Sequence, residues 1–361
     1  MLVIRVNKPY LPSNKKYQKY CEKIYKTNYL TNFGPLSIEL EQRLSEYLNV
    51  PFILLVSNGT LALQIAYRLA GLQAGDKVIT TPFSFVATTN TLIWENLDPV
   101  FCDIEQGSFC IDTSILSNLV TEDIKAILPV HVFGNPCDVE YLESFSIKHN
   151  IKLIYDAAHA FGVNYDKRSV LGFGDISTLS FHATKLFHTV EGGGLILKDF
   201  SLLEAGREMI NFGLKNNLPH SLGINAKLSE FHAAMGLCVL DDMSFILEDR
   251  QRIWYYYFEK LRDYFDMQVL RNKATNNYHY FSILFKNTNL LYDAVCALED
   301  ECIFPRRYFY PSLHSLPFVS SYSKCPVSSD IASRILCLPI FVGLQKEEQD
   351  KIINIIIPFA S

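Results

Sequence analysis

A lysine placed between an apolar run and a triple glycine has a setting that surface solubility does not require. The segment reads Ser180-Phe-His-Ala-Thr184-Lys185-Leu-Phe-His-Thr189-Val-Glu191-Gly-Gly-Gly194. Partial burial lowers a lysine's pKa, and the neutral amine that results is a nucleophile toward carbonyl carbon. Ser180 and Thr184 flank it with hydroxyls suited to phosphate or orienting contacts. A lysine serving only as surface decoration would need neither the hydroxyls nor the glycines.

Two further segments carry related signals. Asp156 closes the apolar run Lys152-Leu-Ile-Tyr155 and is followed by Ala-Ala-His159-Ala. An ionised carboxylate at the end of a buried strand needs a partner. A protonated pyridine nitrogen is one, a helix N-terminus or a structural ion pair another. His159 reads equally as a ligand contact or as a hydrogen-bonded core histidine. Ser57-Asn58-Gly59-Thr60 follows the apolar run Phe52–Val56 and opens a helical pattern. Gly59 permits close backbone approach, Thr60 brings a hydroxyl, and a helix start brings free N–H groups, which together suit a phosphate. A plain N-cap accounts for the same residues without a ligand.

Seven short apolar runs position these segments: Phe52–Asn58, Lys77–Pro82, Pro99–Ile104, Ala126–Val132, Lys152–Ala157, Ile176–His182 and Gly193–Lys198. Helical patterns at Thr60–Leu69, Phe85–Glu95 and Val139–His149 separate several of them. Continuous apolar strands spaced by helices predict a mainly parallel seven-stranded sheet covered on both faces. The polar segments then fall at strand carboxyl ends, where open α/β sheets bind ligands. From about residue 240 the texture changes. A helix is expected over Phe245–Tyr264, a strand over Tyr278–Phe285, a helix around Leu290–Asp300, and a Pro- and Tyr-rich loop from Phe304 to Pro317. The expectation is therefore an α/β chain with a large domain over 1–240 and a smaller α+β domain over 241–361.

Composition narrows the classes. Of 361 residues 49% are hydrophobic and 20% charged, as in an ordinary globular protein. With 33 basic and 38 acidic residues the net charge is −5, and no basic stripe points to nucleic acid. No apolar run approaches the length of a membrane helix, the start Met1–Pro9 has no signal-like h-region, and the apolar tail Ile352–Ala360 is expected to bury. Nine cysteines without C-x-x-C spacing suggest reduced thiols in a cytoplasmic protein and no metal site, with Cys238 and Cys337 in the core.

At these residues the chain resembles the DegT/DnrJ/EryC1/StrS sugar aminotransferases, fold type I enzymes dependent on pyridoxal 5′-phosphate (PLP). Matching stretches run in order: Leu30-Thr-Asn-Phe-Gly34-Pro35, Ser57–Thr60, Gly75 through Phe85, Pro129 through Pro136, Asp156–Ala160, Ser180–Gly194 and Gly223 through Glu230. The resemblance implies that Lys185 holds PLP in Schiff-base linkage and later moves a proton, and that Asp156 pairs with the pyridine nitrogen. It assigns Gly59, Thr60 and Ser180 to the phosphate, beside Asn58, with Asn225 reaching in from the neighbouring subunit of a homodimer. Phe85 stacks on the ring. His159 stands near the ring hydroxyl where many relatives carry Gln, which leaves its tautomer open.

Some relatives dehydrate sugars and carry His in place of the lysine; Lys185 favours transamination. The stretch Phe304-Pro-Arg306-Arg307-Tyr308-Phe-Tyr310-Pro-Ser-Leu-His314 resembles the subgroup acting on dTDP-linked 4-keto-6-deoxy sugars. Arg306, Arg307 or Lys227 would then meet the diphosphate, and Tyr310 and His314 would line the sugar or base site. A packed aromatic loop is the alternative. The expected reaction is ping-pong, with L-glutamate as donor and the product feeding glycan or O-antigen assembly. The rivals are amination at C3 of a 3-keto isomer, dehydration, and a non-catalytic PLP-binding regulator.

Overall fold

A computed structural model describes residues 3–320 and 323–360; Met1 and Leu2 of the opening segment lie outside them. The chain enters with strand β1 (Ile4–Arg5) and helices α1 (Asn14–Thr27) and α2 (Pro35–Leu48), none of which stood out in the sequence. It continues through β2 (Phe52–Val56), α3 (Gly59–Leu69), β3 (Lys77–Thr80), α4 (Ala87–Trp94), β4 (Asp98–Phe101), β5 (Ile124–Leu128), α5 (Val139–His149) and β6 (Lys152–Asp156). A hairpin, β7 (Asn164–Tyr165) and β8 (Arg168–Ser169), precedes β9 (Ile176–Ser180) and β10 (Gly193–Leu197). Then come α6 (Phe200–Met209), the hairpin β11 (Leu214–Lys215) and β12 (Leu218–Pro219), α7 (Glu230–Asp241) and α8 (Met243–Leu261). The chain closes with β13 (Ser282–Leu284), α9 (Thr288–Asp300), β14 (Ile303–Phe304), α10 (Pro326–Arg334), β15 (Ile335–Cys337) and α11 (Lys346–Ile356).

The seven expected strands form one sheet in the order β2-β10-β9-β6-β5-β3-β4, with ends that differ by a few residues from the apolar runs. Their interior side chains are almost wholly buried, at about 1.5–3 kcal/mol for each large aliphatic residue taken out of water. All neighbours pair in parallel except β10, which runs against both β2 and β9. That reversal brings the amino end of β10 to the sheet edge where β2, β6 and β9 end.

Helix α8 joins two cores. Met243 and Ile246 pack with the large-sheet cluster, while Ile253, Tyr257 and Leu261 pack into a second cluster with residues from β13, α9 and α11. The tail buries there through Ile352, Ile353 and Ile356. Ile4 belongs to this second core because β1 pairs in parallel with β14. The strand expected at Tyr278–Phe285 shortens to β13. Arg250 of α8 takes the carbonyls of Tyr278 and His279 at 3.1 and 2.6 Å, and Trp254 Nε1 takes that of Tyr280 at 3.1 Å, so side chains replace a strand partner. Cys238 and Cys337 are buried, and all nine cysteines are free thiols.

One buried acid holds the amino-terminal helices to this frame. Gly34, the residue before α2, has no side chain to cap the helix, and a Cβ there would lie 2.4 Å from Glu230 Cδ. Glu230, 1% exposed at the start of α7, takes the Leu36 and Ser37 N–H groups at 2.8 and 2.9 Å. Glu230→Ala should cost about 2–3 kcal/mol, since it strands two buried donors, and Glu230→Gln less, since it keeps an acceptor. Urea unfolding followed by tryptophan fluorescence measures both; unchanged midpoints would show that the cap contributes nothing.

Candidate active site

The edge where β2, β6 and β9 end and β10 begins gathers the polar segments. Gly193 pairs with Val56 on one side and Ser180 on the other. A Cβ on Gly193 would lie 2.6 Å from the Asn58 carbonyl carbon and oxygen, and one on Gly59 would lie 2.8 Å from Ser180 Cβ. Only glycines allow the three backbones to meet this closely. Asn58 caps α3, accepting the Leu61 N–H at 2.8 Å, so the plain capping role is real. It leaves the N–H groups of Gly59 and Thr60 ahead of the first intrahelical bond, at the electropositive end of the helix. Ser57 donates its N–H to the Ala226 carbonyl at 2.8 Å, so the segment carrying Asn225 and Lys227 runs beside the same turn.

Asp156 ends β6 at 5% exposure. Its Oδ2 accepts the Thr88 hydroxyl at 2.7 Å and its Oδ1 the Ala158 N–H at 3.1 Å. Burial raises its pKa, while those two donors and the Lys185 ammonium pull it back toward the charged form. Lys185 is pushed down to about 8 by burial, against the opposing pull of Asp156. Sequence reasoning anticipated both the depressed lysine and the buried carboxylate.

His159 is 3% exposed, and its Nδ1 accepts the Phe133 N–H at 3.3 Å. That leaves the proton on Nε2, and burial together with the Lys185 charge holds the pKa well below normal, so the ring is a neutral donor. Phe309 lies parallel to it at 5.6 Å and 5°, and Tyr280 meets it edge-on at 5.0 Å. His279, also held neutral by burial and nearby positive charge, donates through Nε2 to the Thr184 carbonyl at 3.3 Å, one residue before Lys185. The Thr184 hydroxyl turns instead to His182 Nδ1 at 2.8 Å.

Phe85 is 54% exposed, just ahead of α4. The loop after β14 docks beside it: Leu313 donates its N–H to the Pro82 carbonyl at 2.7 Å. His314 shares a 2.9 Å hydrogen bond with Ser312. Arg307, expected at the diphosphate, is committed elsewhere. It donates to Tyr292 and to the Ala332 and Ser333 carbonyls at the end of α10, and stacks on Tyr310 at 3.6 Å. Arg306 is exposed, with its backbone bridged to Cys337. Lys227 donates to Asn211 at 2.8 Å. Sequence reasoning missed Ser84, Thr88, Phe133, His279, Tyr280 and Phe309, which reach the site through folding; Ser84, Phe133 and Phe309 lay within stretches already singled out, but without a role. Among the described residues no cluster of His, Cys, Asp and Glu could hold a metal, and no helix is long and apolar enough to cross a membrane.

A buried acid beside a low-pKa lysine, next to a glycine-lined anion cradle, defines an amino-group-transfer site. The chain belongs to the DegT/DnrJ/EryC1/StrS aminotransferase family, whose profile matches residues 13–357. It is 38% identical over 98% of both chains to a dTDP-4-amino-4,6-dideoxy-D-glucose transaminase of Shigella dysenteriae, and 36% identical over 98% of both to one of Escherichia coli. Among solved structures, DesI in the presence of its TDP-sugar product superposes with a TM-score of 0.93 at 30% identity, covering 99% of this chain and 93% of that one. The cofactor is PLP, as the family and its structural neighbours indicate. The residues fit it: the cradle that a Cβ would fill suits the phosphate, the Asp156 carboxylate a ring nitrogen, and the Lys185 amine a carbonyl.

Two outcomes are expected. Gly193→Ala drives a methyl group into the Asn58 backbone and should weaken PLP binding at least tenfold, or about 1.4 kcal/mol, in a fluorescence titration of apoenzyme. Because the neutral amine is the nucleophile, capture of PLP by apoenzyme should speed up about tenfold per pH unit below about 8 and level off above it. Stopped-flow absorbance, normalised to PLP reacting with a small free amine, measures this; a profile still rising well above pH 8 would place the lysine in an ordinary environment.

Proposed function

We propose that the chain transfers the amino group of L-glutamate to C4 of dTDP-4-keto-6-deoxyglucose, releasing 2-oxoglutarate and dTDP-4-amino-4,6-dideoxyglucose. The observation that carries this reading is the near full-length identity to the Shigella transaminase, taken with an intact set of Lys185, Asp156 and Ser180. When bound, PLP supplies an electron sink for the carbon that gains or loses the amine. Lys185 would hold the cofactor through its amine and serve as the proton carrier; at neutral pH about a tenth of a lysine with its pKa is already the free base. Asp156 holds the ring nitrogen protonated. The N–H groups of Gly59 and Thr60 and the Ser180 hydroxyl take the phosphate on the turn shaped by Asn58. Phe85 would pack against the cofactor ring, and the His159 Nε2–H would be free to donate to it.

Substrate contacts are assigned to Arg306 and His314 on the loop docked on Pro82, and to Lys227 on the segment beside the Ser57 turn. The contacts of Arg307 with Tyr310, Tyr292 and the end of α10 argue against it as a diphosphate ligand. A homodimer with Asn225 crossing into the neighbouring site fits the apolar side chains exposed beside it, Phe212 at 54%, Leu218 at 69% and Leu222 at 79%. We place the reaction in the cytoplasm, with the amino sugar passing to a glycosyl transfer step.

Absorbance of the PLP-loaded protein tests the reading. Glutamate should remove the visible cofactor band and dTDP-4-keto-6-deoxyglucose should restore it, with NMR of the product placing nitrogen at C4. Nitrogen at C3, or a response to glutamate alone, would move the substrate to another keto sugar. Lys185→Ala should lose turnover by at least about 1000-fold while still binding the phosphate-bearing cofactor, since it removes the proton carrier and leaves the cradle.

A further inference from the structure

The carboxylate of Asp156 is held by a chain of buried hydroxyls. Thr88 is 0% exposed and Ser84 2%. Thr88 Oγ1 lies 2.7 Å from Asp156 Oδ2, and Ser84 Oγ lies 2.7 Å from Thr88 Oγ1. An ionised carboxylate only accepts, and each hydroxyl has one proton. The direction is therefore fixed: Ser84 donates to Thr88, and Thr88 donates to Asp156. Both hydroxyls sit on one helix entry, Ser84-Phe85-Val86-Ala87-Thr88, where the Thr88 N–H also bonds the Phe85 carbonyl at 3.1 Å. The same turn thus carries the exposed aromatic face of Phe85 and the support for Asp156.

We propose that Thr88, backed by Ser84, is a positioning residue that keeps Asp156 ionised and fixes which of its lone pairs faces the cofactor ring. This rests on Asp156 being the partner of the pyridine nitrogen. Chains of hydroxyls polarise one another, and a bond to a charged acceptor is worth more than a neutral one. The carboxylate needs that support because burial works against its charge. The other titratable groups that feel its charge are the Lys185 ammonium from the β9–β10 connection and the Tyr67 hydroxyl of α3, which is held by Thr91. Of these only Lys185 opposes protonation of Asp156 by its charge; the hydroxyl chain and the Ala158 N–H oppose it by hydrogen bonds.

The test uses Thr88→Val, which keeps the shape and deletes the hydroxyl, Thr88→Ser, which restores it, and Ser84→Ala, which shortens the chain. PLP affinity is measured by fluorescence across pH, together with the pH dependence of the loaded enzyme's visible spectrum. Thr88→Val should weaken PLP binding about tenfold, the loss expected for one charge-assisted hydrogen bond. Losing a donor raises the carboxyl pKa, so the acid limb of the affinity profile should move to higher pH. Thr88→Ser should return both to within about twofold, and Ser84→Ala should shift both in the same direction by about two- to threefold. An unchanged affinity and pH profile in Thr88→Val would overturn the proposal, as would a loss in melting temperature that Ser restores without restoring the profile. If Thr88→Val does not fold, Ser84→Ala decides by the same two readouts. Asp156→Asn separates the underlying assignment: PLP affinity and spectrum unmoved by it would mean that Asp156 itself was misassigned, whereas a loss there with none in Thr88→Val would defeat the hydroxyl chain alone.

Discussion

A carboxylate buried at the end of a central strand is the constraint around which this structure is arranged. Removing the Asp156 charge from water is unfavourable unless hydrogen bonds and an opposite charge replace the lost hydration. Thr88, the Ala158 N–H and the Lys185 ammonium supply that replacement. Lys185 in turn loses proton affinity because its own charge is poorly hydrated, and it depresses His159 and His279 further, so both imidazoles stay neutral. Burial sets the protonation states of the site, and Asp156 and Lys185 each hold the other toward its charged form.

The scaffold that permits this is an edge shared by four strands. In a wholly parallel sheet the amino end of β10 would lie at the far edge. Reversing β10 places Gly193 between Val56 and Ser180 and lets the α3 entry approach without side chains between. Distant segments are fastened to this edge by buried acceptors. Glu230 caps α2, Asp103 accepts the Val327 and Ser328 N–H groups at 2.9 Å at the start of α10, and the Pro82 carbonyl holds Leu313. Through them the loop around Phe309 comes to lie against His159, although some 150 residues separate the two in the chain.

The seven strands were readable because each is buried on both faces and therefore written as a short apolar run. The lysine, the carboxylate and the glycine turn stood out because polar residues are improbable at the ends of such runs. Residues that work through tertiary contact were not marked in this way. Thr88 resembles any small residue in the first turn of a helix, and Phe309 any member of an aromatic loop. The contacts of Arg307 were hidden for a related reason. An arginine beside tyrosines reads as an anion site, but carbonyls at the end of α10 lay within reach of its donors once the chain folded.

The sequence by itself determined the alternation of strands and helices and the family, and singled out Lys185 and Asp156, because periodicity and local residue order carry that information without reference to distance. Only the tertiary structure decided the reversal of β10, the tautomer of His159, the direction of the hydroxyl chain from Ser84 through Thr88, and the engagement of Arg307 with Tyr292 and the end of α10. Each of those depends on which donor meets which acceptor across a large separation along the chain. Local pattern cannot encode that choice, since it is made by packing after the elements have formed.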